Sequence, residues 1–285
     1  MKRVILLSVS VIFLLHLAAQ TKQGTISYER KIDIWKRITD PQRRASIPQF
    51  KTTKHILLFN DTVSLFKTIQ EDEAINPFDG GEGHFGGGEG RGSGFGRLSR
   101  MLGSVDGDLY KSYTDGISIQ ATEQSGKNFL IVDTLKKQPW KITDEIKIIL
   151  GYTCHKATMK QKNGFSGFGD GGNWGGRRRD REQGGDNSTP DTTHRTPREV
   201  EVVAWFADKI YAPVGPSMFG QLPGAILEVD IDNGSIVFNA TEVKNDVSAK
   251  DLKEPKKGKR VTREEFRKLM EELRKNFGNA MPSSN

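Results

Sequence analysis

Chemistry needs side chains that ionise, ligate or attack, and this sequence offers few. Of its five histidines, His16 sits in an apolar N-terminal run, while His84 and His194 sit in low-complexity text. That leaves His55 and His155 as candidate general bases or ligands. The single cysteine, Cys154, immediately precedes His155. Adjacent strand residues point to opposite faces, so the two cannot share a metal or act as nucleophile and base. With no second thiol there is no intramolecular disulfide, and burial as a small apolar group is the expected fate of Cys154. Ser217 stands in Gly215-Pro216-Ser217-Met218-Phe219-Gly220. Its extra residue and its proline spoil the strand-to-helix turn of a G-x-S-x-G elbow. No H-E-x-x-H, C-x-x-C or Walker loop occurs, so neither a metal ligand set nor a cofactor is expected. Glu29, Asp33 and Asp208 would serve a hydrolase, with His55 or His155, only if the fold gathers them. A metal-binding envelope protein is the third alternative.

Glycine is the compositional anomaly. Of 31 glycines in 285 residues, ten fall in Gly80–Gly96 and nine in Gly164–Gly185. The surrounding inserts, 76–98 and 163–197, lack the apolar content that offsets the entropy of ordering, and flexible loops are expected there. Gly81/Gly83/Gly86 and Gly167/Gly169/Gly172 match G-x-G-x-x-G by letter. Neither follows a strand and opens a helix, which pyrophosphate binding requires, so nucleotide binding is rejected. The second insert interleaves aromatics with Arg177, Arg178, Arg179 and Arg181. That surface suits an envelope protein, an anionic glycan or a lipid headgroup, and export argues against nucleic acid.

Export is read from the N-terminus. Lys2 and Arg3 precede the apolar run Val4–Leu17 and the small residues Ala18 and Ala19. This is the pattern of a secretory signal peptide cleaved near Ala19 or Gln20, and it implies a periplasmic or outer-membrane-associated destination. The formal charge of +7 drops by two when Lys2 and Arg3 leave. From Lys250 to Lys275 the chain carries eleven basic and six acidic residues, an excess equal to what remains. There Thr262 and Glu265 form a capping box, followed by Phe266, Leu269, Met270, Leu273 and Phe277 on one helical face. Such a basic amphipathic helix either contacts a membrane surface or packs on its own sheet. Domain limits follow: a signal peptide at 1–20, a β-rich domain at 21–248 holding both inserts, and a basic tail at 249–285. The composition excludes a multi-span membrane protein, a disulfide scaffold and a wholly disordered chain.

The elements that must position these groups read as strands. Gly24–Ile34 alternates apolar and polar residues. His55–Phe59 and Thr62–Ile69 flank Asn60-Asp61 as a hairpin. Leu109–Tyr113, Gly116–Thr122, Phe129–Asp133, Thr153–Met159, Val200–Phe206, Ala225–Ile231 and Gly234–Val243 continue the series. Trp140–Leu150, with Ile142, Ile146 and Ile149, reads as a short helix or an irregular segment. Many short strands without helix–strand alternation predict a mainly β fold: a single curved antiparallel sheet, open or half-barrel-like, with long Gly-rich loops and a C-terminal amphipathic helix.

Trp205–Asp230 reads WFADKIYAPVGPSMFGQLPGAILEVD. Together with Leu150–Ala157 (LGYTCHKA) and Gly24–Tyr28 upstream, it resembles the GLPGLI family of exported proteins. The family motif stands here as Gly220 to Leu227, with Gln221 inserted between Gly220 and Leu222 and with Ala225 replacing a larger residue. The resemblance implies an exported Gram-negative envelope protein and transfers no activity. The Tyr-x-Cys and Trp-bearing strands also resemble envelope lipid-carrier half-barrels, a likeness of fold alone. Pro223-Gly224 is a type II turn signal. The loop either plugs the sheet or forms a binding lip from Trp205, Phe206, Tyr211, Phe219, Leu222, Pro223 and Gly224. The reading that results is a non-enzymatic binding or accessory module for an apolar, anionic or protein ligand.

Overall fold

The computed structural model describes residues 22–38, 40–45, 47–69, 107–124, 126–162 and 199–279. Both glycine-rich inserts, the N-terminal signal-like run and Arg177 to Arg181 lie outside them. Twelve strands form one open sheet: β1 (Gly24–Asp33), β2 (Phe50–Phe59), β3 (Val63–Thr68), β4 (Leu109–Ser112), β5 (Ile117–Gln124), β6 (Lys127–Thr134), β7 (Lys141–Ile149), β8 (Tyr152–Lys162), β9 (Glu199–Ala207), β10 (Ala225–Ile231), β11 (Ile236–Lys244) and β12 (Lys259–Thr262). Their order is β12-β6-β5-β4-β3-β2-β1-β11-β10-β9-β8-β7. Every pair is antiparallel except β12 with β6. The mainly β, open-sheet expectation holds.

One connection dictates the curvature. β6 and β7 follow each other in the chain but stand ten strand spacings apart, about 48 Å across a flat sheet. The crossing 135–140 can reach only about 25 Å when extended, so the sheet must curl to bring its two ends together. Bulges help it bend: the register shifts in β1 at Ser27/Tyr28, in β10 between Ile226 and Glu228, and in β7 between Ile142 and Ile146. The hairpin from β2 to β3 turns on Asn60, whose Oδ1 accepts from the amides of Thr62 (2.9 Å) and Val63 (2.8 Å). That is the Asx geometry which suits asparagine at a turn.

Trp140–Leu150 is corrected from helix or irregular segment to the edge strand β7. Its Ile142, Ile146 and Ile149 imitate a helical stripe. Pairing with β8 instead sets Lys147 and Ile149 on one face and leaves Ile146 and Ile148 exposed on the other. The C-terminal helix, Arg263–Asn279, begins where its capping box predicts. Glu265 accepts from the Thr262 amide at 2.7 Å, and the Glu265 amide donates back to Thr262 Oγ1 at 3.2 Å. Phe266 and Leu269 pack on Phe129, Ile131 and Val261. The tail is thereby tied to the sheet by strand β12, by this small core and by Arg263–Asp133 at 2.7 Å.

The concave face carries the main core. Ile26, Tyr28, Leu57, Phe66, Val202, Phe206, Ile226 and Phe238 are all buried there. Residues 210–224 fold into it, with Ile210, Val214, Phe219 and Leu222 inaccessible. The expected type II turn at Pro223-Gly224 is absent: Gln221 (φ 65) and Ser217 (φ 55) hold the left-handed conformations instead. Gly224 serves closeness, because a Cβ there would stand 2.1 Å from the Ala207 carbonyl oxygen. Gly224→Ala should therefore cost about 3 kcal/mol in a denaturant melt. Gly151→Ala, whose Cβ would meet nothing within 4 Å, should cost only about 1 kcal/mol, for its positive φ. Equal losses would contradict the role given to Gly224.

Candidate functional site

Loop 210–224 is a plug held at both ends by the backbone. Ala225 N donates to Ile210 O (3.1 Å), Ile226 N to Val214 O (2.9 Å) and Gln221 N to Pro213 O (2.8 Å). Against it lies the crossing 135–140, clasped by two glutamines. Gln138 N donates to Gln221 Oε1 at 3.0 Å, and Gln221 Nε2 donates to Lys136 O at 2.9 Å. Gln138 Nε2 reaches Met218 O at 3.0 Å, and Trp140 Nε1 reaches Gly220 O at 2.9 Å. Gln221, read in the sequence as an interruption of the resembled motif, is thus half of the clasp.

Between plug, crossing and sheet lies a cavity of about 480 Å³. Its apolar wall includes Leu109, Met159, Met218 and Phe219. Its polar wall follows from strand register. Lys111 pairs with Ser118 and Ser118 with Asp133, so the three share the concave face. Lys111 is 2 % exposed and donates to Phe219 O at 2.8 Å. Burial lowers its pKa from 10.5 to about 7. Asp133 is occupied by Arg263. Across the cavity the Gln161 side-chain oxygen is buried without a hydrogen-bond partner. Sequence reasoning missed Lys111; the only signal was a lysine on the inward parity of a short strand, opposite Ser64.

The residues read from the sequence as a binding lip are divided by the fold. Phe206, Phe219 and Leu222 belong to the core, and Phe219 also lines the cavity. Tyr211 is 55 % exposed, and Pro223 lies at the surface. Gly224 is buried against Ala207. Trp205 lies on the other face of β9 from Phe206, beneath the Lys147 ammonium at 4.5 Å. Lys147 also pairs with Glu228 at 2.6 Å.

The fold brings His155 and Asp208 together and leaves the other nucleophile and base candidates apart. Cys154 is fully buried, and desolvation raises its pKa to about 11. His155 faces Asp208 at 3.6 Å. Ser217 is buried, and its hydroxyl has no hydrogen-bond partner. Asp33 caps the Trp35 amide at 3.0 Å, and Glu29 points away from the concave face occupied by Tyr28 and Arg30. Among the described residues no group of three His, Cys, Asp or Glu side chains could hold a metal.

His55 is 1 % exposed. It lies between Thr53 Oγ1 (2.9 Å) and Thr68 Oγ1 (3.3 Å), stacked on Phe66 with centroids 5.0 Å apart. Burial first, and the Arg30 charge second, lower its pKa to about 3. It is a neutral core residue.

Residues 140–228 match the family model described as "Protein of unknown function (Porph_ging)". That stretch holds β7, β8, β9 and the whole plug. No curated protein matches the sequence significantly. Among solved structures, PNGF-II in its C2 crystal form is 16 % identical with a TM-score of 0.47, covering 88 % of this chain and 33 % of that one. PNGF-II in its P21 form gives 16 % and 0.45, covering 89 % and 34 %. LprF from Mycobacterium bovis is 7 % identical with a TM-score of 0.28, covering 83 % and 93 %. The chain thus spans about a third of the PNGF-II chains it matches.

His55 yields a pH prediction. Its folded pKa lies below the unfolded one, so its contribution is fully present above about 6.5 and is lost as pH falls from there toward 3. Between pH 6 and 5 the protein should lose about 1 kcal/mol by urea melts. His55→Phe, which keeps the stack on Phe66, should flatten that slope. An unchanged slope in the variant would contradict the assignment.

Proposed function

We propose that this chain is an exported, non-enzymatic accessory module of a Gram-negative envelope, of the GLPGLI kind, and that it binds a small ligand in the cavity of its concave face. The observation that carries this reading is the cavity itself. At about 480 Å³ it falls within the usual size of small-molecule sites, about 300–1,000 Å³. Its wall mixes apolar side chains with a few inward polar groups, the composition such sites share. Two long-range clasps, Gln138 with Gln221 and Lys111 with Phe219, hold the wall in place. A preformed site loses little entropy on binding. By contrast, among the described residues the hydrolytic candidates yield only the pair His155 and Asp208 at 3.6 Å, with Cys154 and Ser217 buried, so a binding role accounts for more of the geometry than a hydrolytic one. The family description names no activity.

Extraction of the purified mature protein tests this. The protein would be produced with its leader in a Gram-negative host, recovered from the envelope and extracted with organic solvent for mass spectrometry. The wild type should release a small molecule in near-stoichiometric amount, and Gln120→Trp, which fills the cavity from β5, should release at least tenfold less. Equal recovery from both, or nothing from the wild type, would contradict a ligand role for the cavity.

A further inference from the structure

Resting on the cavity reading above, the geometry points to the class of ligand: we propose a small carboxylate-headed amphiphile, its head held by Lys111 and its tail against Leu109, Met159 and Phe219.

An ammonium removed from water is costly unless a counter-charge meets it. Lys111 lies 2 % exposed in the cavity wall, and its described partner is a neutral carbonyl, Phe219 O. Two of its three N–H donors remain for another acceptor. The acidic side chain on its own face, Asp133, sits one strand beyond Ser118 and is engaged by Arg263 at 2.7 Å. Among the described residues no carboxylate is paired with Lys111. Among the described residues the remaining charged groups around the cavity are Lys136, Lys137 and Lys160, all basic, so the field they set at the mouth favours an anion. Tyr113, hydrogen-bonded to Ser64 at 3.0 Å, is held neutral by burial.

Among the described residues Lys111 is the one buried cation of the wall, whereas Lys136, Lys137 and Lys160 are exposed, and a single buried ammonium suits a singly charged head. Phosphate recognition favours several donors or a bidentate arginine, and Arg263 is occupied by Asp133. A carboxylate needs one ammonium and gains little from more. The tail must be apolar, because Leu109, Met159 and Phe219 would otherwise face polar matter across a site of about 480 Å³.

Calorimetric titration of the purified full-length mature protein with sodium decanoate, 1-decanol and decylamine tests this, comparing wild type with Lys111→Met and Lys111→Arg. Methionine replaces a buried charge with an apolar group of similar length, a change that buried sites commonly tolerate, and thermal melts check the fold. At pH 6 decanoate should bind the wild type at least tenfold tighter than decanol, and Lys111→Met should lose that margin while binding decanol as before. Lys111→Arg should retain part of the margin. For the wild type alone, decanoate affinity should fall steeply above pH 7 to 8, as the ammonium loses its proton, while decanol affinity stays level. This profile keeps the test valid should the methionine variant misfold. Equal binding of decanoate by wild type and Lys111→Met, or decanol matching decanoate on the wild type, would overturn the head assignment and leave the cavity a binding site. Failure of all three probes would overturn the ligand class, and the extraction experiment then judges the cavity separately.

Discussion

The structure depends on one geometric constraint, the short crossing from β6 to β7. Residues 135–140 join strands ten spacings apart in a twelve-stranded sheet, and no flat sheet allows it. Once the sheet curls, its inner face is too large for its own side chains to fill, and a second body must enter. Loop 210–224 is that body. Phe219 is its deepest aromatic, with its carbonyl on Lys111 and its ring near Trp140 at 6.3 Å. Removing such a side chain typically costs about 3–5 kcal/mol.

Crossing and plug then hold each other. Gln138 and Gln221 exchange hydrogen bonds with the opposite segment, and Trp140 closes on Gly220. Neither segment has regular structure, so backbone groups that its own turns leave unpaired need partners from elsewhere. Side chains of the other segment supply several of them. The cavity is what remains between two irregular stretches that satisfy each other's polar groups more fully than they fill space. The plug is seated by close backbone approach, as at Gly224, where a Cβ would stand 2.1 Å from the Ala207 carbonyl oxygen.

Much of the sheet was legible in the sequence, because alternation is a local signal. Ala225–Ile231 matches its strand to the residue, and Thr262 with Glu265 announces the helix start. β7 was not legible, since isoleucines at 142, 146 and 149 fit a helical period as well as a bulged strand. β12 was missed because four residues of KRVT carry no periodicity; only pairing with β6 makes them a strand. The cavity wall was the least visible. Trp205 and Phe219 stood out as aromatics near Gly/Pro turns, yet they face different environments. Lys111 stood out not at all, because a lysine signals solvent until the fold places it. Gln221 read as a departure from a motif, while the structure makes it a clasp. Neither role is encoded locally, since both partners lie more than eighty residues away.

The plugged, curled sheet holds a buried lysine at the wall of a cavity, with no carboxylate partner among the described residues. Nuclear magnetic resonance titration of a Lys111 side chain labelled with nitrogen-15 addresses it directly. A midpoint of about 7 is expected in the free protein, as burial imposes, with an upward displacement when decanoate is added. A midpoint near the ordinary lysine value of about 10.4, insensitive to decanoate, would contradict it.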